Sequence, residues 1–362
     1  MRLAAALFLL ANAAMLFLPA NPAVADVLNV PADHADIASA LIASVAGDVV
    51  VVAAGLYREH DLVLPSGVVL RGATGDPADV VIDSERLGRC IYGAELDTGT
   101  RIEALTLSNG LPAWGETPHN SWGAGLMVDG GSPTIANCIF TANETAIGAG
   151  AFFTGTGAPV IEGCVFDTNS STESSGLFLG NAGDPVVRDC VFRNASRCMV
   201  GGGMTWAGSG HALIERCTVE DNEVIESGGG VEVYGSGATA TLRDCVIRRN
   251  SAGIFGGGLV VANHGHAVLE NCEVVDNAAA QSAGGVSLGF GASLEATEST
   301  ILNNAAPDGA DAYVSGDATA LLICCDAEPA SWNAIGPLTI DDEDCIVAAR
   351  NESWGKLKSH FR

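Results

Sequence analysis

From residue 125 onward the chain repeats one alternation of apolar and variable positions. A glycine (aspartate in the last copy) is followed by an apolar, a variable and a second apolar residue. The apolar pairs are Leu126/Val128, Ala151/Phe153, Leu177/Leu179, Met204/Trp206, Val231/Val233, Leu259/Val261, Val286/Leu288 and Ala312/Val314. A period of two predicts strands, and these sixteen residues are the inward-facing set. The residues between them, Met127, Phe152, Phe178, Thr205, Glu232, Val260, Ser287 and Tyr313, are then expected on the outer face.

Two further apolar segments follow each Gly strand. One ends at Ile135, Ile161, Val187, Ile214, Leu242, Leu269 and Ala296, three residues before the other, which opens with Cys (Ser in the last copy), a variable residue and an apolar one. That position is held by Cys138, Cys164, Cys190, Cys217, Cys245, Cys272 and Ser299, at separations of 26, 26, 27, 28, 27 and 27 residues. A fixed period in this range predicts a solenoid, each repeat being one coil that buries its apolar face against its neighbours. Asn143, Asn169, Asn222, Asn250, Asn277 and Asn304 follow the Cys or Ser segment (Asn194 in the third copy) and suit a ladder of side-chain amides bonded from coil to coil.

Charges support in-register stacking. Two residues before the Cys, successive coils carry Glu162, Arg188, Glu215, Arg243 and Glu270; three residues after it they carry Asp167, Arg193, Glu220 and Arg248. Alternating sign up a column favours parallel neighbours, because opposite charges on adjacent strands attract. Upstream, residues 34–45 predict a short amphipathic helix with Ile37, Leu41, Ile42 and Val45 on one side, covering the open end of the first coil. Val49–Val52 and Val80–Ile82 are among the strands expected after it.

The entry segment VPADHADIASALIASVAGDVVVVAAGLYRE and the GGG-x-x-V and N-C-x-F-x-x-N coils resemble the right-handed parallel β-helix family with the pectin-lyase-like fold, over roughly residues 28–325. The resemblance implies an all-β, single-stranded right-handed parallel β-helix of roughly eleven coils with a short N-terminal capping helix. It implies no single activity, because such folds carry lyases, glycosidases, epimerases and surface proteins alike.

Residues 1–25, with Arg2, an apolar run from Leu3 to Leu18 and Ala23-Val24-Ala25, read as a signal peptide cleaved after Ala25. Residues 26–340 are then the β-helix, and 341–362 an acidic segment with a basic tail, Trp354–Arg362. The mature chain has no apolar stretch long enough to span a bilayer. It is expected to be secreted or at the cell envelope of a bacterium. With 17 Lys+Arg against 43 Asp+Glu, the net charge of −26 disfavours nucleic acid as a partner. An extracellular polysaccharide or a cell-surface partner fits better.

Among eleven cysteines, the six at the repeat position read as small buried hydrophobes, since stacked parallel Cβ vectors suit disulfides poorly. Bridges are expected instead from Cys324, Cys325, Cys345, Cys198 and Cys90, with Cys324 or Cys325 bonded to Cys345 preferred.

Candidate chemistry is sparse. Glu232 is the only carboxylate in the outer Gly-strand column, flanked by Thr205 and Val260; it is expected to be solvated and is a ligand-binding candidate alongside Trp114, Trp122, Met127, Phe152 and Phe178. His211 and His266 lie two coils apart, too far to share a metal, while Asp341-Asp342-Glu343-Asp344 offers at most a weak Ca²⁺ site. No catalytic residue and no cofactor is assigned. The segment from Leu105 to Cys138 is 33 residues, longer than a coil, and the excess (108–122) holds Trp114, Glu116, His119 and Trp122. Trp114 and Trp122 beside Met127, Phe152 and Phe178 form a candidate platform for sugar rings, unless the loop folds over those side chains and hides them. The expected function is non-catalytic binding of carbohydrate or a partner surface. A polysaccharide lyase or hydrolase is the alternative, and a structural adhesin or spacer a third.

Overall fold

The computed structural model describes residues 25–113, 121–180 and 183–341; the expected leader, Trp114, Glu116, His119, Cys345 and the basic tail lie outside them. The described chain is a right-handed parallel β-helix. Each coil contributes a Gly strand (Ala151–Thr154), a second strand (Val160–Glu162) and a Cys strand (Val165–Asp167) to three parallel sheets. These sheets hold eleven, thirteen and eleven strands respectively. Register is strict: Phe152 pairs with Phe178, Ile161 with Val187 and Phe166 with Phe192.

The core is one column of apolar side chains inside the coils. All sixteen inward residues of the Gly strands are at most 2% exposed. On the Cys strands Phe140, Phe166 and Phe192 stack with ring centroids 4.6 and 4.8 Å apart. The glycines that open the Gly strands are required by this stacking. A Cβ on Gly176 would sit 2.1 Å from the Gly203 carbonyl oxygen of the next coil, and one on Gly230 would sit 2.6 Å from Gly258 O.

The N-terminal helix spans Ile37–Ala43, capped by the Asp36 side chain, which accepts from Ser39 N at 2.8 Å. It packs on the strands Val27–Val30, Val49–Val52 and Leu62–Val63. Its buried stripe is Ile37, Ala40 and Leu41, whereas Ile42 (86%) and Val45 (57%) are exposed. The expected stripe was therefore partly wrong: Ile42 is rotated by about 100° from Leu41, and Val45 lies beyond the helix end. Among the described residues no helix is long and apolar enough to cross a membrane.

Six coils also contain a fourth strand, between the Cys strand and the Gly turn, as in Ser170–Glu173 and Glu223–Ser227. This six-stranded sheet has its own small core of Cys198, Val224, Ala252 and Ala279. We call it the lip. It was not foreseen, although small or apolar residues two after the Asn (Val224, Ala252, Ala279) carry its signal.

Three columns hold successive coils together, one of asparagines and two of alternating charge. Asn143, Asn169, Asn222, Asn250, Asn277 and Asn304 are all buried. Asn250 Nδ2 donates to Val219 O and to Asn277 Oδ1, at 2.9 and 3.0 Å. Asn194 is not on this ladder: it is exposed and bonds Asp167, while Ala195 takes the ladder position and donates its N–H to Asn222 Oδ1. The ladder ends at buried Asp311, whose Oδ1 accepts from Asn304 N and Nδ2 at 2.9 Å. The charge columns form ion pairs where coils meet: Arg188–Glu162 at 2.5 Å, Arg243–Glu215 at 2.8 Å, Arg243–Glu270 at 2.6 Å and Arg248–Glu220 at 2.8 Å.

The cysteines correct part of the expectation. Cys90, Cys198 and Cys325 are buried thiols outside any disulfide, and Cys324 is disulfide-bonded. Thr300 pairs with Asp326, so Cys325 stacks above Ser299 as the next member of the repeat column. Its thiol donates to Ala296 O at 3.2 Å, as Cys272 does to Leu242 O. Cys324 occupies the left-handed turn one residue earlier (φ 53°), the position filled by Asn271 and Glu298 in the coils below. The spacing of 26 from Ser299 to Cys325 was the overlooked sign.

Candidate functional site

We call the strip between the outer column of the Gly strands and the lip the groove. Along its floor, register runs from Tyr92 through Met127, Phe152, Phe178, Thr205, Glu232, Val260 and Ser287 to Tyr313. Along its edge the lip contributes Ile147, Glu173, Val200, Ser227, Phe255, Ser282 and Asp308, each in register with the next.

Solvation of this column is where expectation and structure part. Met127 (0%), Phe152 (4%), Thr205 (3%) and Glu232 (8%) are buried, while Phe178 is half-buried. The cause is local. At Gly148, Gly201 and Gly228 the chain turns with positive φ from lip to Gly strand, placing backbone against the floor residues. A Cβ on Gly201 would lie 2.0 Å from Thr205 Oγ1, and one on Gly228 would lie 3.4 Å from Glu232 Cβ.

At one end of the groove three aromatic rings form a continuous stack. Trp122 lies over Phe152 and Phe152 over Phe178, both with centroids 4.9 Å apart. Trp122 is held from below: its carbonyl accepts from Arg89 Nη2 at 2.8 Å, and that of Gly123 accepts from Arg89 Nε at 2.8 Å. Trp122 also bridges to Ile147 at the start of the lip. Met127 and Phe152 therefore belong to a satellite core and are no open platform; both ring faces of Phe152 are taken. Only Trp122 and Phe178 remain half-exposed, and the face of Phe178 away from Phe152 is turned toward the Thr205 coil.

Beyond Phe178 the floor becomes polar. Thr205 Oγ1 donates to Glu232 Oε2 at 3.4 Å across one coil step. Burial pushes the Glu232 carboxyl up to about 7; the Thr205 hydrogen bond opposes this and the charge of Glu173 on the lip adds to it. Glu232 is thus no solvated surface acid. Glu173, which sequence reasoning did not single out, is exposed and stands two coil steps away in register. Of this column only Phe178 is half-exposed, with Trp122 and Glu173 accessible beside it, so a ligand's apolar and polar faces would meet these three, while the buried Glu232 carboxyl, titrating near neutrality, can exchange a proton.

Elsewhere the candidates have structural partners. His211 Nε2 lies 2.8 Å from Thr241 Oγ1, and His266 Nδ1 lies 2.8 Å from Ser293 Oγ. Among the described residues no cluster of His, Cys, Asp and Glu is arranged to hold a metal ion. Asp342, Glu343 and Asp344 lie outside them.

Residues 97–258 match the family model described as right handed beta helix region. Curated protein sequences offer no match. Two solved structures resemble this one at 14% identity: the Agl-KA catalytic domain (TM-score 0.51, covering 89% of this chain and 69% of that one) and the Dettilon tailspike protein (0.50, 89% and 70%). At this identity the likeness concerns the fold alone. The chain thus has the right-handed parallel β-helix fold, and its central residues match the model of that family.

Proposed function

We propose that this chain is an exported, extracellular or envelope-bound protein that binds carbohydrate along the groove between its Gly strands and the lip, without catalysing its cleavage. The observation that carries this reading is the pair of half-exposed rings, Trp122 and Phe178, held at either end of a stack through the buried Phe152. Aromatic rings supply apolar contact to sugar faces, and the accessible Glu173 carboxylate beside them binds sugar hydroxyls. The catalytic role named for the Agl-KA domain does not transfer at 14% identity. Glu232 has Thr205 and Val260, neither of them a carboxylate, as register neighbours.

Retention of the mature protein on a panel of immobilised polysaccharides tests the reading. Trp122→Ala and Trp114→Ala should each weaken retention about tenfold or more; unchanged retention in both variants removes the site.

A second reading, a polysaccharide lyase or hydrolase, is favoured by one observation: a buried carboxyl pushed up to about 7 suits a general acid or base. Release of unsaturated or reducing ends, abolished by Glu232→Gln, would establish it.

A further inference from the structure

We propose that residues 342–362 of this chain dock over the open end of the last coil, latched there by a Cys324–Cys345 disulfide, so that the chain itself covers both ends of its solenoid. The two ends differ in the described structure. At the first coil the helix Ile37–Ala43 lies over the wall, and Val30, Leu41 and Val50 are at most 2% exposed. At the other end, Asp326–Ala327, Trp332–Ala334 and Leu338–Asp341 are the outermost strands of their sheets among the described residues. Ile340 stacks on the inward Leu322 and Ala334 on the inward Val314, both 0% exposed. Yet Ile340 is 37% exposed, and Ala334 is exposed as well. An apolar interior open at a row of strand edges invites pairing with other chains, which is why solenoid ends need a cover.

The cysteines name the occupant. Of the eleven, nine among the described residues are buried thiols and Cys324 is disulfide-bonded, which leaves Cys345 as its partner within the chain. Cα atoms joined by a disulfide stand about 4.4–6.8 Å apart, close to the ~4.8 Å between stacked strands. Cys324 holds the turn just before the last Cys strand, and Glu298 holds the same turn in the coil below. The bridge therefore approaches from the end side. It brings Cys345, and with it the apolar run Ile346-Val347-Ala348-Ala349, within about one coil step of the open interior.

Length and charge agree. The 21 residues that follow Asp341 compare with the 26 to 28 of a coil, enough to lay most of one further winding. Between residues 250 and 349 there is neither Lys nor Arg, and Glu298, Asp317 and Glu328 stand exposed on the last coils. Residues 350–362 carry Arg350, Lys356, Lys358 and Arg362 against Glu352 alone. A basic segment tethered beside an acidic end is drawn onto it.

Hydrogen exchange of the mature chain, read by mass spectrometry, tests the proposal, together with non-reducing peptide mapping and sedimentation velocity. Mapping should return Cys324 joined to Cys345, and sedimentation a monomer. Amides of Trp332–Ala334 and Leu338–Asp341 should exchange about tenfold or more faster in Cys345→Ser and in a chain ending at Asp341, while Val160–Glu162 stays unchanged. The double variant Ile346→Asp, Val347→Asp keeps the disulfide and should show the same local loss, so the test stands even where truncation prevents folding. Exchange of the end strands unmoved by Cys345→Ser or by the double variant overturns the proposal, as does a bridge from Cys324 to a second chain. A dimer of the full chain that protects the same strands makes a second copy the cover and overturns it too.

Discussion

Asn222 and Asn250 lie on adjacent coils, and the Oδ1 of Asn250 accepts both the backbone N–H (3.2 Å) and the Nδ2 (2.8 Å) of Asn222. One buried oxygen thereby satisfies a turn amide and a side-chain amide of its neighbour. Asn250→Ala removes that acceptor and its own donor to Val219 O. Each orphaned buried group costs about 1–3 kcal/mol, so a loss of roughly 2–4 kcal/mol is expected in denaturant unfolding. A loss below about 0.5 kcal/mol would show that water replaces the ladder.

The ladder is interrupted at Ala195, and Asn169 has no amide above it. Ala195→Asn should connect the two halves and raise stability by about 1 kcal/mol. Urea midpoints of the two proteins decide this; a lower midpoint for the variant means that the turn has no room for the amide.

Glu232 makes stability pH-dependent. Its folded carboxyl titrates near 7, above the 4.5 of an unperturbed glutamate. Folding therefore favours the protonated form. The stabilisation is complete below about pH 4.5 and is lost as pH rises through about 7. The difference corresponds to something on the order of 3 kcal/mol. Wild type should lose this amount between about pH 4.5 and 8 relative to Glu232→Gln, measured by unfolding at both ends. Parallel pH profiles would place the carboxyl in water.

Between Gly176 and Gly285 the Gly column leaves no space for a side chain. In Gly230→Ala the new Cβ would meet the Gly258 carbonyl oxygen at 2.6 Å, and backbone there cannot retreat without parting two coils. Loss of several °C or more in Tm is expected from the forced shift, against almost none for Gly289→Ala, where nothing lies within 4 Å and φ is not positive.

Thiol chemistry separates the two adjacent cysteines. Nine cysteines among the described residues are buried thiols, and for Cys164 burial, then its neighbours Cys138 and Cys190, holds the thiol well above its ordinary value. Native protein should resist alkylation at these nine, and denatured protein should expose them all. Cys325→Ser should fold normally, as Ser299 already serves in that column, whereas Cys324→Ser should release one additional thiol from its bridge.

Periodicity alone determined the solenoid, because a coil that cannot bury its own apolar face imposes its spacing on every neighbour. The parity of the Gly strands, the alternating ion-pair columns and the Asn positions followed from the same constraint. What lies outside the coil wall obeyed no such rule. Whether Phe152 or Glu232 meets solvent depended on backbone arriving from the turns at Gly148, Gly201 and Gly228, and alternation in a strand says only which way a side chain points, not what covers it. The lip, the Trp122 stack and the protonation of Glu232 were therefore decided by tertiary packing.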